Sequence, residues 1–290
     1  MIKIDIRKKL ELIKNYRDIA GRNIGLSKQL ISEIREWHED LIKKIPSNVE
    51  VQIIFEKFII ILNKTNFGNV SHAHLLGPHE LIIFDNYINR RIKNRIAIDM
   101  GANIGMHTIL LSKLGYEVHA YEPDPKTFEC LQLNLKSNKC EAILYNSAVT
   151  SESFIINGYT NFTRVIDHPT SSGLSNTEKK FYGNIENLKV KAVKSSNIIK
   201  DAGILKIDVE GSESIILENL IVEENNYEYI NIEISGDHSR EIIFKKMKEV
   251  KKYEWYTDKI QLKNPKKNLL PLSWRDGSLH LIMKKREKNG

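Results

Sequence analysis

The sequence lacks the features that mark secreted, metal-stapled or membrane-spanning proteins. It has 2 cysteines in 290 residues, Cys130 and Cys140, and they lack the C-x-x-C spacing of a zinc or redox site. Two thiols without a disulfide framework are typical of a reducing compartment. Residues 1–10 lack the apolar core of a signal peptide. The most apolar stretch, VQIIFEKFIIIL (51–62), is interrupted by two charges and is too short to span a bilayer. The sequence therefore predicts a soluble cytoplasmic protein without a membrane span.

The charge balance is basic, with 44 Lys and Arg against 37 Asp and Glu and a formal net charge of +7. Such an excess suggests nucleic acid as one class of partner. However, the lysines are spread along the chain, with local runs only at 245–252 (KKMKEVKK) and 284–288. Runs of this kind are typical of the solvated face of a helix. Attraction to RNA or to another anionic substrate is therefore the less favoured interpretation.

Residues 1–90 carry helical patterns. Apolar residues recur at helical spacing from Ile6 to Ala20, which predicts a first helix. Ser27 is placed to cap a second helix, which Pro46 ends.

The segment that follows predicts one more helix and then an irregular stretch. The apolar run over 51–62 predicts a third helix, and the Gly, Pro and Asn residues of 65–80 indicate a loop or irregular strand. Residues 1–76 are thus predicted to be a helical N-terminal extension that offers a surface for homo-oligomer contacts. Residues 77–290 are predicted to form the main domain.

From Arg95 onward, the pattern alternates between strands and helices. This alternation predicts a largely parallel sheet with helices on both faces. Ligands on such sheets bind at the carboxyl ends of the strands. Four acidic residues lie at or near these predicted ends: Asp99, Glu122, Asp208 and Glu233.

The stretch IAIDMGANIGMHTILL (96–111) predicts a strand, a tight turn and a helix. Gly101 and Gly105 let the backbone approach a ligand closely, and Asn103 tolerates left-handed geometry. The stretch is neither the G-x-G-x-x-G of nicotinamide-dependent dehydrogenases nor a phosphate-binding loop with its lysine. Asp99 would repel a pyrophosphate, and it suits a cationic ligand such as the amino-acid portion of S-adenosylmethionine.

Two further elements support a nucleoside site. Glu122 ends the next predicted strand 23 residues after Asp99, close to the spacing of about 20 at which a carboxylate accepts ribose hydroxyls. In LKIDVEGSE (205–213), the acidic residues Glu210 and Glu213 fit the first turn of a helix. Asp208 follows an apolar, buried strand, and a helix start explains it poorly. Asp208 is therefore predicted to be functional.

Three motifs in order resemble the FkbM family of S-adenosylmethionine-dependent methyltransferases. They are AIDMGANIGMHT, YEPDPKTFECLQLNL and LKIDVEGSESIIL, and PHELIIFDNYI ahead of them also fits. The resemblance covers about residues 78–235. It implies an α/β, Rossmann-like class I methyltransferase fold whose seven-stranded, mostly parallel sheet has an antiparallel last strand. It also implies O-methylation of a sugar, a glycan or another small-molecule acceptor.

The resemblance implies roles for individual residues. The methionine portion of S-adenosylmethionine would be held by Asp99, Gly101, Ala102, Asn103 and Gly105. Glu122, followed by Pro123, would bind the ribose, and Ser147 and Ala148 would flank the adenine. Asp208 and Glu210 would lie beside the transferred methyl group and the acceptor. Two features depart from the family pattern: VKSSNII (193–199) lacks an acidic pair, and residues 1–90 are not part of the common core.

Two chemical roles are open for the carboxylates. Methyl transfer to oxygen is an in-line displacement, so the protein mainly positions the acceptor and takes its proton. Asp208 or Glu233 is predicted to accept that proton directly. Alternatively, Asp208, Glu210 and Glu233 would hold Mg²⁺, which prefers oxygen ligands and would acidify the acceptor. Direct base catalysis is the favoured interpretation.

Four histidines are weaker candidates for catalysis: His107, His119, His168 and His238. His238 follows Glu233 closely and is the most interesting of them. His107 follows the glycine turn and is expected only to cap the helix, and His119 lies in an apolar strand and is expected to be a core residue.

A polar insertion and two rival functions complete the predictions. Residues 158–184 are typical of a lid or acceptor loop, in which Tyr159, Phe162 and Arg164 are candidates for sugar contacts, or equally of an ordinary surface loop. An RNA 2′-O-methyltransferase would share the fold, with Lys206 as a catalytic partner of Asp208, but no aromatic and basic patch supports it. A non-catalytic scaffold that uses its N-terminal helices as a partner surface is the other alternative.

Overall fold

The computed structural model describes most of the chain. The described residues are 1–21, 26–65, 70–175, 177, 179–198, 201–219, 225–234, 237–257 and 278–284. None of the described helices is long and apolar enough to cross a membrane.

The helices and strands of these residues are numbered in chain order. The α-helices are α1 (Arg7–Ala20), α2 (Lys28–Lys44), α3 (Pro78–Asn89), α4 (Met106–Lys113), α5 (Pro125–Asn138), α6 (Glu213–Asn219) and α7 (Asp237–Glu249). The strands are β1 (Ile2–Asp5), β2 (Val51–Ile54), β3 (Ile59–Leu62), β4 (Ile96–Met100), β5 (Glu117–Tyr121), β6 (Ile143–Tyr145), β7 (Ala148–Thr150), β8 (Tyr159–Val165), β9 (Gly173–Leu174), β10 (Ile185–Lys194), β11 (Ile204–Ile207), β12 (Tyr229–Glu233), β13 (Tyr253–Thr257) and β14 (Ser278–Met283). Short 3-10 helices lie at His72–Leu76, Glu152–Phe154, Pro169–Ser171 and Ser195–Asn197.

A seven-stranded sheet forms the centre, in the order β13-β14-β12-β11-β4-β5-β6. Strands β4, β5, β6, β11 and β12 run parallel, whereas β14 is antiparallel to both of its neighbours. The predicted α/β class I methyltransferase fold with an antiparallel last strand is confirmed. Because β4 and β11 are neighbours here, the chain reverses its direction of growth between them, and the carboxyl ends of both strands open at that point.

Alternate residues of the central strands face two helical layers. Ala97 of β4 packs in a cluster that includes residues of α3, α4 and α5. Its neighbour Ile98 packs in a second cluster that includes residues of α6 and α7. The first cluster continues into α1, α2 and β1–β3. The N-terminal extension therefore shares its hydrophobic core with one layer of the main domain.

The first two predicted helices are confirmed, and the Ser27 hydroxyl caps α2 by accepting a hydrogen bond from Leu30 N at 3.2 Å. The third predicted helix, over 51–62, is wrong, because this segment is the hairpin β2–β3, which pairs with β1 in a three-stranded sheet. Its β-branched isoleucines favour strands. The two charges that interrupt the run form the turn, where Phe55 N donates to Phe58 O at 3.0 Å.

The prediction of a loop over 65–80 is also wrong for its last part. Residues His72–Leu76 form a 3-10 helix, and α3 begins at Pro78, a residue suited to the first turn of a helix. Residues 66–69 lie outside the described residues.

The polar insertion contains two strands, β8 and β9, which belong to a second sheet. The run AILYNSAV (142–149) splits after Tyr145 into β6 and β7. Strand β7 leaves the central sheet and joins a four-stranded sheet in the order β7-β10-β8-β9. This second sheet, called the insertion sheet below, lies within the connection from β6 to β11.

Candidate functional site

The turn after β4 is built on two glycines with positive φ, +81° at Gly101 and +95° at Gly105. A Cβ at Gly101 would lie 1.6 Å from the backbone oxygen of Asp208, and one at Gly105 would lie 2.5 Å from Cδ1 of Leu131. Asn103 takes the left-handed conformation that the sequence indicated, with φ of 51°. The glycines therefore make room first for the β11 loop and for α5, and this close packing sets the shape of the turn.

Glu122 closes this turn from the end of β5. Its buried carboxylate accepts hydrogen bonds from Asn103 N and from Asp124 N, each at 2.9 Å. Burial raises the pKa of Glu122 to about 8, although the two backbone N–H groups act in the opposite direction. Asn146 donates from Nδ2 to the carbonyl oxygens of Glu122 and Pro123, at 2.9 and 3.2 Å. The carboxylate is thus held rigidly at the edge where a ribose was predicted.

A pH-dependent affinity is expected if Glu122 accepts ribose hydroxyls. The ionised carboxylate is the better acceptor, so affinity should rise as the pH passes upward through a pKa of about 8. Titration calorimetry with 5′-methylthioadenosine, which has no amino-acid portion to titrate, should give a Kd that falls from about pH 6.5 to pH 9 by up to about tenfold per unit. Glu122→Gln should bind more weakly and show no such slope. A wild-type Kd that is constant over this range would contradict the assignment.

A buried lysine joins the ends of β4 and β11. Lys206 is paired in register with Asp99, and its Nζ lies 3.4 Å from Asp99 Oδ1 and 3.1 Å from Asp208 Oδ2. It also donates to the carbonyl oxygen of Gly101 at 3.1 Å. Asp99 is fully buried and accepts from Thr108 Oγ1 at 2.7 Å. Asp99 and Lys206 therefore support the turn from beneath.

Asp208 and Glu233, at the ends of neighbouring strands, share a hydrogen bond. Burial alone would raise the pKa of Asp208, but the charge of Lys206 and the hydrogen bond from Glu233 outweigh it, so the pKa of Asp208 is lowered. Burial, together with the neighbouring charge of Asp208, raises the pKa of Glu233 well above its ordinary value. Asp208 is therefore the member of the pair that ionises more readily, and Glu233 is the member that holds a proton more readily.

Two acidic residues, Glu210 and Glu213, order the loop after β11. Glu210 has a positive φ of 57° and forms an ion pair with Lys179 at 2.7 Å. Glu213 is fully buried in the first turn of α6, and its carboxylate accepts from Gly211 N at 3.0 Å. Burial raises the pKa of Glu213 to about 7. Glu213 therefore lies in the first turn of a helix, as predicted, and it also closes the loop that carries Asp208.

The four candidate histidines have different environments, and His168 is exposed, directly ahead of the 3-10 helix Pro169–Ser171. His107 does not cap α4, contrary to the prediction, and its Nε2 lies 2.7 Å from Oε2 of Glu80. His119 is a buried residue with hydrogen-bond partners on both ring nitrogens, as expected for a core histidine. His238 falls in the first turn of α7, and its side chain lies outside the described part of the structure.

Helix α3 adds two residues that were not predicted for the site. Glu80 contacts His107, and the buried Tyr87 packs edge-on to the same ring with centroids 5.8 Å apart. The charges of Asp99 and Lys206 act on the Tyr87 hydroxyl, whose pKa burial raises well above the usual value. The apolar pattern of α3 signals a buried helix, but nothing in the sequence marks these two residues as neighbours of the strand ends.

A cleft lies above these strand ends, and its volume is about 660 Å³ when the space at its open mouth is included. Eight residues predicted for the site line it: Gly101, Asn103, Glu122, Pro123, Ser147, Ala148, Asp208 and Glu210. Asp99, Ala102 and Gly105 are buried or packed behind this lining. The cleft can therefore hold an elongated ligand between the end of β5 and Asp208, the arrangement predicted for S-adenosylmethionine.

The carboxylates do not fit a divalent cation well. Asp208 is paired with Lys206, Glu210 is paired with Lys179, and the raised pKa of Glu233 favours its protonated form. Within the described ranges, no group of three or more His, Cys, Asp or Glu side chains is arranged to hold a metal ion. The alternative in which Mg²⁺ binds to Asp208, Glu210 and Glu233 is therefore not supported.

Comparisons with known proteins identify the domain. A family model described as the methyltransferase FkbM domain matches residues 99–253, more than half of the chain. A search of curated proteins gave no match.

Solved structures with a similar fold are methyltransferases at low identity. The Pyrococcus abyssi tRNA (uracil-54, C5)-methyltransferase, in complex with S-adenosyl-L-homocysteine, is 11% identical with a TM-score of 0.43, over 81% of this chain and 44% of that chain. An rRNA methylase from Streptococcus thermophilus is 10% identical with a TM-score of 0.40, over 71% of this chain and 96% of that one. The T. thermophilus 16S rRNA N2 G1207 methyltransferase, in complex with AdoMet and guanosine, is 12% identical with a TM-score of 0.43, over 81% of this chain and 50% of that one. The chain thus spans half or less of the length of the first and third of these proteins.

Proposed function

Because the chain belongs to the FkbM family of S-adenosylmethionine-dependent methyltransferases, we propose that it methylates a hydroxyl group of a sugar, a glycan or another small acceptor. The observation that carries this proposal is the Asp208–Glu233 pair beside the glycine turn. One member of the pair is ionised and can accept a proton from a hydroxyl group. An acceptor that carries no acidic proton would not need such a base.

The proposed cofactor contacts follow the cleft from one end to the other. S-adenosylmethionine, when bound, supplies an electrophilic methyl group on a sulfonium centre. Gly101 and Asn103 would hold its methionine portion, Glu122 would accept the ribose hydroxyls, and Ser147 and Ala148 would flank the adenine; all five line the cleft. The pocket walls exclude water and align the acceptor oxygen with the methyl group, which is the main catalytic contribution in a displacement of this kind.

The proposed role of Asp208 is to accept the acceptor's proton as the new C–O bond forms. The charge of Lys206 keeps Asp208 ionised, and Glu233 donates a hydrogen bond that orients it. A sugar hydroxyl is a weak acid, so the proton leaves during methyl transfer and not before it. After the reaction, the proton resides on the carboxylate pair until it reaches solvent.

An anionic acceptor fits less well. Within the described part of the chain, the residues that line the cleft include no lysine or arginine, and Lys206 beneath it is buried and already paired with two carboxylates. A phosphodiester placed there would therefore lack the counter-charge that nucleic-acid-binding sites supply. RNA is therefore the less favoured acceptor, and the test below includes it.

The test is methyl transfer from labelled S-adenosylmethionine to a panel of neutral monosaccharides, oligosaccharides, polyols and total cellular RNA. We expect label on an oxygen atom of a saccharide or polyol, identified by mass spectrometry. Asp208→Asn should lower turnover by at least about 100-fold with an unchanged Kd for S-adenosylhomocysteine. The matched control is Asp201→Asn, an exposed aspartate ahead of the amino end of β11, which should behave as the wild type. Label found only in RNA, or on nitrogen or carbon, would overturn the proposal.

A further inference from the structure

The insertion sheet supplies one wall of the cleft. Phe162 of β8 and Leu174 of β9 line the cleft and pack against each other's strand in a small core that also contains Ala148 of β7. Ser172, just before β9, lines the cleft beside them. Two apolar side chains with a hydroxyl at their edge form a surface that suits the face and rim of a purine ring.

One arginine fastens this wall to the central domain. Arg164 of β8 donates from Nε to Asp124 Oδ2 at 2.5 Å and from Nη2 to Asp124 Oδ1 at 2.7 Å. Both side chains are buried. A third contact, from Nη1 to Glu186 Oε2 at 2.6 Å, holds the arginine to the directly opposed residue of β10. Arg164 is therefore an ion-paired strut, and the prediction that it contacts a sugar is wrong.

Asp124 is itself a fixed point of the predicted ribose site. It follows Glu122 by two residues, and its backbone N–H donates to that carboxylate. Its side chain also caps α5 by accepting from Lys126 N and Thr127 N, at 2.8 and 3.2 Å. Asp124 thus joins the Glu122 segment through its backbone N–H, and its carboxylate joins α5 to the insertion sheet through a bidentate pair that fixes both distance and angle.

We propose that the insertion sheet is the adenosine-side wall of the cofactor site, with Phe162 as its contact residue and Arg164 as its positioning residue. This inference rests on cofactor binding in the cleft but not on the identity of the methyl acceptor. Without the strut, the wall occupies its binding position for only part of the time, and the affinity for adenosine compounds falls by that fraction. The amino-acid half of the cofactor lies toward Asp208 and is not affected.

The first experiment uses the unaltered protein. Hydrogen–deuterium exchange is measured with and without 5′-methylthioadenosine, which lacks the amino-acid portion, and with L-homocysteine as the other half. We expect 5′-methylthioadenosine to protect amides of β8 and β9 as well as those around Glu122 and Ser147. L-homocysteine should leave β8 and β9 unchanged. Protection by 5′-methylthioadenosine that is confined to the central domain would overturn the proposal, whereas no protection anywhere would count against cofactor binding itself.

The second experiment compares two bidentate arginines. Arg164→Met is expected to raise the Kd of 5′-methylthioadenosine and of S-adenosylhomocysteine by the same factor, about tenfold or more. Arg7, which makes a similar two-point contact with Asp5 on the exposed surface of the extension, is the matched control. Arg7→Met should bind both ligands as the wild type does.

A purely structural role for Arg164 gives a different result. In that case Arg164→Met lowers the melting temperature but leaves both Kd values unchanged well below it, and the proposal fails. Arg164→Lys keeps the positive charge but cannot make the two parallel hydrogen bonds of the guanidinium group. Its affinity should therefore lie between that of Arg164→Met and that of the wild type. If Arg164→Met does not fold, Phe162→Leu tests the same wall, and wild-type affinity for 5′-methylthioadenosine in that variant would refute its contact role.

Discussion

Gly101→Ala is expected to abolish binding of S-adenosylhomocysteine and to lower the free energy of unfolding sharply. The added Cβ would lie 1.6 Å from the backbone oxygen of Asp208, and backbone atoms cannot swing aside as a flexible side chain can. The positive φ of 81° adds a cost of roughly 1–2 kcal/mol for any L residue. Overpacking adds about 1–3 kcal/mol. Relief of the clash requires the β4 turn or the Asp208 loop to move, and both line the cleft.

The matched control for Gly101→Ala is Gly115→Ala. Gly115 has a similar φ of 84°, but no heavy atom lies within 4 Å of the position that an added Cβ would take. This control therefore carries the conformational cost without the clash, and it should keep the affinity of the wild type. Calorimetric titration and thermal unfolding of both variants separate the two effects. Equal stability and equal affinity in the two variants would show that the approach of Asp208 does not constrain the turn.

Lys206→Met is expected to cost about 3–5 kcal/mol of unfolding free energy, because it leaves buried carboxylates without their counter-charge. Asp99 is fully buried and Asp208 lies 3.1 Å from Nζ, so both lose the same partner. The pKa of Asp208 is lowered in the folded state. Stability from this source is therefore present above the unfolded pKa of about 3.9 and is lost as the pH falls through the folded value. The difference between wild type and variant should shrink on acidification.

Denaturant unfolding at several pH values measures this effect. Lys44→Met is the control, because Lys44 pairs with Asp40 on the exposed face of α2 at 2.6 Å. An exposed pair of this kind contributes about 0–1 kcal/mol, so the control should be close to the wild type at every pH. A Lys206→Met variant as stable as the control would show that the carboxylates around Lys206 do not depend on its charge.

The sequence reveals the parts of the fold whose patterns are local. Strands β4, β11 and β12 are short apolar runs that end in acidic residues, and only a covered parallel sheet explains such runs next to helical segments. The segment 51–62 is misleading because an isoleucine-rich run has apolar residues at both helical and strand spacing. Its two central charges were the available signal for a hairpin. Likewise, the alternation in NLKVKAVK (187–194) marks β10, although the insertion as a whole has the composition of a polar loop.

The residues of the candidate site likewise divide into those that local sequence patterns reveal and those that they do not. Asp208 and Glu122 are visible in the sequence because each follows a strand directly, and strand ends converge in a parallel sheet. The contact of Glu80 with His107 and the pairing of Arg164 with Asp124, 40 residues away, depend on the packing of elements that are not neighbours in sequence. No local pattern specifies such contacts. Lys206, which supports the turn from beneath, is an intermediate case. Its position close to Asp208 can be read from the sequence, but its burial cannot.

Because the chain leaves the central sheet after β6, the insertion sheet and the central sheet can change independently during evolution. The insertion sheet is contained within one connection of the central sheet, so its length and side chains can change while the order of the seven strands stays the same. The carboxylates proposed to handle the proton are Asp208, directly after β11, and Glu233, at the end of β12, and neither belongs to that connection. One side of the cleft can therefore diverge between relatives while the chemistry on the other side is retained.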